Sequence, residues 1–64
     1  MKVKYDAQTD ILRFRFSSKK VAESDEEKKG IIIDYDADGN ILGIEILNAS
    51  KQLENPKVVE YEMA

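Results

Sequence analysis

The chain has 64 residues with neither cysteine nor histidine, which excludes disulfides, thiolate metal sites and imidazole general-base chemistry. A chain of roughly 60 residues buries only about 60% of its unfolded surface; with disulfides absent, the staples open to so small a fold are oxygen-ligated cations or a second copy of itself. The net charge of −3 is unevenly spread: residues 1–20 hold six basic side chains against two acidic ones, residues 21–64 four against eleven. That split reads as two halves that attract each other rather than as a nucleic-acid face beside an acidic tail.

In chain order, "MKVKY" alternates with period two, placing Met1, Val3 and Tyr5 on one face and Lys2 and Lys4 on the other. "DAQTD" is a loop, with Asp6 and Asp10 as its caps, and "ILRFRF" alternates again, Leu12, Phe14 and Phe16 inward, Arg13 and Arg15 outward. Pairing Tyr5 with Leu12 and Val3 with Phe14 puts both apolar sets on one face. The same register opposes Lys4 to Arg13 and Lys2 to Arg15, and because like charges directly opposed destabilise a sheet, an anionic group is expected nearby. Residues 17–29 are polar and charged: a long loop, an edge strand around Lys20–Glu23 or a short helix over "ESDEEKK" all fit, and a loop with some edge-strand character fits best because the helix would bury only Val21 and Ala22.

"GIIIDYD" is the strongest strand, β-branched and bounded by glycine and a turn. "NILGIEIL" returns, with Leu42, Ile44 and Ile46 inward; Tyr35 is expected to pair with Leu42, Ile33 with Ile44 and Ile32 with Glu45, around a loop at Ala37–Asn40. "NASKQLEN" starts a short helix capped by Asn48 or Ser50, with Leu53 against the sheet and Pro56 at its end. "KVVEYEM" alternates once more, as a fifth strand or as an arm that completes a neighbour's sheet. The expected fold is α+β and predominantly β: an antiparallel meander sheet of four to five strands with one short C-terminal helix, in a single domain over residues 1–64.

"DYDADGNILGIE", residues 34–45, has calcium-loop spacing: Asp34, Asp36 and Asp38 at the first, third and fifth places, Gly39 at the sixth, Glu45 at the twelfth. Such a loop needs a helix on each side, whereas Ile31, Ile33 and Tyr35 run into the first ligand with strand rhythm. Asp38-Gly39 is a strong hairpin signal, and at ~3.4 Å per residue Glu45 lies more than about 10 Å from the tip. The stretch reads as a turn whose aspartates bond backbone amides; a calcium-binding hairpin through Asp34, Asp36, Asp38 and Glu45 is the alternative.

"VKYDAQTDILRFRF" and "GIIIDYDADGNILGIEILNASKQL" together resemble the short bacterial and archaeal proteins grouped as domain of unknown function 2283. The resemblance covers about residues 3–53 and rests on Tyr5-Asp6 and on Asp34 to Ser50; residues 54–64 are a strand or arm beyond it. The first strand departs from the family pattern, with Thr9-Asp10 where Ala-Asp is usual and charge at Arg13 and Arg15. The resemblance implies a compact, mainly β domain without an assigned activity, and a partner-binding role in a toxin-antitoxin-like pair.

No residue set points to catalysis. The serines at 17, 18, 24 and 50 have no histidine to activate them, no glycine-rich phosphate loop exists, and no cofactor is implied. Lys2, Lys4, Arg13 and Arg15 form a basic stripe, but the aromatics that nucleic-acid binding would interleave with it project from the other face. Ile11, Ile32, Ile41, Leu47 and Val58 lie off the main apolar face and are the interface candidates. No apolar run suits a signal peptide or a membrane span. The expectation is a cytoplasmic, non-enzymatic interaction module that forms a homodimer or takes a small protein partner.

Overall fold

The computed structural model describes residues Met1–Ala64. Its strands are β1 (Lys2–Asp6), β2 (Ile11–Arg15), β3 (Glu23–Lys28), β4 (Ile31–Tyr35) and β5 (Ile41–Leu47), followed by one helix, α1 (Ala49–Gln52). They form a single antiparallel five-stranded sheet in the order β1-β2-β5-β4-β3. Consecutive strands pair within two units, β1-β2 and β3-β4-β5, and the units join where β2 meets β5. This is the predominantly β architecture with a short C-terminal helix that the residue rhythm implies.

Register follows from alternation. Val3 faces Phe14, Phe14 faces Ile44 and Ile44 faces Ile33; one step along, Tyr5, Leu12, Ile46 and Ile31 align in the same way. These rows make one apolar face. The opposite face carries Lys2, Lys4, Arg13, Arg15, Asp34 and Glu45. The β4-β5 hairpin departs from the expected pairing at its tip: Tyr35 faces Ile41 rather than Leu42, because a bulge follows Asp34. The extra residue, Leu42, is only 2% exposed; the irregularity accompanies full burial of a leucine.

Residues 17–29 correct the loop expectation, since Glu23–Lys28 is a paired edge strand. It is exposed along its whole length and has no apolar alternation to announce it. Its ladder is supplemented by Ser24 Oγ donating to Asp34 Oδ1 at 2.5 Å and Tyr35 OH donating to Glu27 at 2.6 Å. Gly30, at φ +81°, turns the chain into β4. The fifth strand is therefore β3, and residues 57–64 contain no strand.

The helix covers part of the apolar face. Asn48 precedes it at φ 51° but gives no side-chain cap; the capping group comes instead from Asp10, whose carbonyl accepts from Ala49 N at 2.9 Å and whose carboxylate accepts from Ser50 N at 3.0 Å. Gln52 Nε2 donates to the carbonyls of Leu47 and Gly30. Only five of the 64 residues are buried, and the apolar ones are Leu12, Leu42 and Ala49. Val3, Phe14, Ile31, Ile33, Ile44 and Ile46 remain half-buried. The sheet has one full layer and a fraction of a second.

Candidate interaction surface

The acidic turn at residues 34–45 has the spacing of a cation-binding loop. Asp36 is its organiser: Oδ1 accepts from Asp38 N and Asn40 N, each at 2.9 Å, and Oδ2 accepts from Asn40 Nδ2 at 3.0 Å. Gly39 sits at φ +84°, which a side chain would resist, and Gly39 N donates back to Asp36 O. The Asn40 side chain, and then its backbone amide, hold the Asp36 carboxyl below the usual aspartate range. Asp34 bonds Ser24 on the neighbouring strand and Glu45 pairs with Arg13. Asp34, Asp36 and Glu45 are each directed to a separate structural partner, and the four acids do not converge as a ligand set.

Arg13 Nε donates to Glu45 Oε1 at 2.7 Å, the one ion pair in the molecule. The two residues are direct cross-strand partners, so the anion that the Lys4–Arg13 conflict calls for is on β5. Arg15 donates to the carbonyls of Ser17 and Lys19, at 2.5 and 2.6 Å. Lys2 and Lys4 on edge strand β1 have no ionic partner. Gly43 is required between these strands: a Cβ there would lie 2.6 Å from Phe14 O.

Asp10 is a second carboxylate hub, one that residue spacing does not reveal. Asp10 Oδ1 accepts from Tyr5 OH at 2.7 Å and Oδ2 from Ser50 Oγ at 2.6 Å, in addition to the Ser50 amide. The Ser50 hydroxyl, then that of Tyr5, lowers the Asp10 pKa, and the same Asp10 bond raises that of Tyr5. These bonds fasten the start of the helix to the first hairpin. Asp6, the other expected cap, accepts from the amides of Gln8 and Thr9. No sequence signal links Asp10 to Ser50, which lie forty positions apart.

The interface candidates divide. Ile11 and Leu47 are direct partners, and Ile32 lies diagonally across β4, so these three form a half-buried row on the charged face. Ile41 stands at the start of β5 and is 49% exposed. Val58 does not join them: it lines an open groove on the apolar face with Leu12, Phe14, Leu53 and Val59. The remaining large exposed apolar groups, Met1, Phe16, Val59, Tyr61 and Met63, belong to the β1-β2 end or to the tail. Phe16 lies beside Phe14, ring centroids 6.5 Å apart, which places it on the apolar face.

The sheet has edges of opposite sign. Strand β1 presents Lys2 and Lys4, and strand β3 presents Glu23, Asp25, Glu26 and Glu27. No helix is long and apolar enough to cross a membrane. No solved structure matches the chain. An uncharacterised protein, MJ0789, of Methanocaldococcus jannaschii is 41% identical over 54 residues, covering 80% of this chain and 43% of the relative, so the chain spans less than half of that protein's length. The family described as protein of unknown function (DUF2283) matches residues 2–50, the whole sheet and the start of the helix, and the chain belongs to that family.

Proposed function

We propose that this protein is a non-enzymatic interaction module that associates with a second copy of itself through the apolar face of its sheet. One observation carries the reading: a five-stranded sheet whose apolar face is covered only by a four-residue helix and the segment after it. A sheet that is apolar on one face needs a second layer to bury it, and the four-residue helix with the segment after it supplies only part of that layer. The polar clusters support the same conclusion, because Asp10, Asp34, Asp36 and Glu45 each serve a structural bond.

Sedimentation equilibrium tests it. The expected result is twice the chain mass at micromolar concentration, falling towards one chain mass when Phe16, which is 43% exposed, is replaced by Glu. A chain that stays monomeric throughout removes the self-association and turns the reading to a different protein as partner.

A further inference from the structure

Apart from Val59, which lines the groove over Leu12 and Phe14, the alternating residues 59–63 pair with nothing in the single chain. Val59, Tyr61 and Met63 are 50, 76 and 80% exposed, and Glu60 and Glu62 between them are exposed as well. The segment nevertheless has the rhythm of a strand, apolar on one side and acidic on the other. Strand β1 has the complementary rhythm: Met1, Val3 and Tyr5 on the apolar face, Lys2 and Lys4 on the other, with its outer backbone edge unpaired.

We infer that residues 59–63 of one copy add to the β1 edge of a second copy as a sixth, antiparallel strand, in a reciprocal exchange of arms. Glu60 then faces Lys4 and Glu62 faces Lys2, while Tyr61 falls opposite Val3 and extends the apolar face. The arm converts two unpaired lysines into cross-strand ion pairs, which favour a sheet where like charges oppose it. The other edge suits the arm less: on the charged face, where Glu60 and Glu62 would lie, β3 offers Ser24 and Glu26 and no lysine, while its Glu23 and Asp25 stand opposite Tyr35 and Ile33 on the apolar face. Strand addition of this kind draws its affinity from main-chain bonds and its specificity from alternate side chains.

The partner's edge, rather than the arm's own, follows from where the arm leaves. The turn at Asn55, closed by Val58 N donating to Asn55 O, sets Val58 and Val59 over Leu12 and Phe14, above the apolar face. Packed sheets lie about 10 Å apart, so a chain leaving above its own sheet is already at the level of the sheet packed on it. Two-fold symmetry makes the exchange mutual.

This inference rests on the self-association proposed above, and charge swapping separates the two. One full-length variant carries Lys2→Glu with Lys4→Glu, another Glu60→Lys with Glu62→Lys, circular dichroism confirming that each keeps its fold. Each alone is expected to dimerise roughly tenfold or more weakly than the parent chain, and an equimolar mixture to regain the parent affinity, because each arm then meets an edge of opposite sign. A mixture no tighter than the separate variants overturns the exchange, as would a dimer indifferent to both swaps, while self-association stands. A parent chain that is monomeric overturns both. Should either swap prevent folding, Lys4→Cys combined with Glu60→Cys serves instead, in a chain with no other cysteine: oxidation to a covalent dimer is expected, and an internal bridge or none refutes the exchange.

Discussion

Asp10 and Asp36 are the same residue in the same kind of place, each beside a tight turn, each accepting three side-chain bonds, each with its pKa lowered by them. Their partners differ. The Asp36 carboxylate bonds only Asp38 and Asn40, within four positions, and shapes a loop. Asp10 bonds Tyr5 and, forty positions away, Ser50, and joins the first hairpin to the helix. The chemistry is equal; the length of chain held in place is not. A hydrogen bond's structural weight is set by what falls apart without it.

The comparison is open to direct tests. Asp10→Ala is expected to have the largest effect, lowering Tm by about 5–10 °C, because it frees Ser50, Tyr5 and the helix together and leaves alanine at φ 55°. Asp10→Asn, better tolerated at positive φ, should lose less. Hydrogen exchange should show the Leu53 amide, bonded to Ala49 O, losing protection in the alanine variant. Asp36→Ala is expected to lower Tm by only about 2–4 °C, since the backbone bond from Asp36 N to Asn40 O at 2.9 Å and Gly39 still form the turn. Equal losses for the two aspartates would break the comparison.

The pH profile sharpens it. Both carboxyls are depressed in the folded state, so their contribution is present above the unfolded aspartate value near 3.9 and disappears as pH falls through it towards the folded values. Thermal melts from pH 5 to 2 should flatten in both Asp10→Asn and Asp36→Asn relative to the parent chain. On the alkaline side the sign reverses. The bond to Glu27 raises Tyr35 to about 12, so its contribution holds up to the unfolded tyrosine value near 10 and is lost between there and about pH 12. Tyr35→Phe should remove that part of the alkaline transition. The smallest effect is expected for Ser50→Ala, about 0.5–1 kcal/mol in chemical denaturation, because the Ser50 amide keeps its own bond to Asp10.

The two edges show where reading from residues succeeds and where it stops. Strand β1 was legible because Val3 and Tyr5 alternate with lysines, and its register with β2 followed from bringing apolar residues to one face. Strand β3 was not, because "ESDEEK" has no apolar face to alternate; its pairing is supplied by the backbone ladder with β4 and by Ser24 and Glu27 bonding their neighbours. In the tail, of the two expected roles, fifth strand or arm, the strand within the chain does not form. "KVVEYEM" has strand rhythm, yet forms no strand in the single chain, because rhythm states that a segment can pair and says nothing of which edge it will find.

The turn at Asp38-Gly39, the pairings of Ile33 with Ile44 and of Ile32 with Glu45, and the separation of apolar from charged faces were determined by the sequence alone. Side-chain period and turn chemistry act over a few neighbouring residues and need no knowledge of the rest of the chain. The meeting of β2 with β5, the choice of Glu45 among the possible acidic partners of Arg13, the bulge that buries Leu42 and the anchoring of Ser50 by Asp10 were decided only by the tertiary structure. Each joins segments whose adjacency depends on how the two units of the sheet assemble, and no local preference encodes that contact.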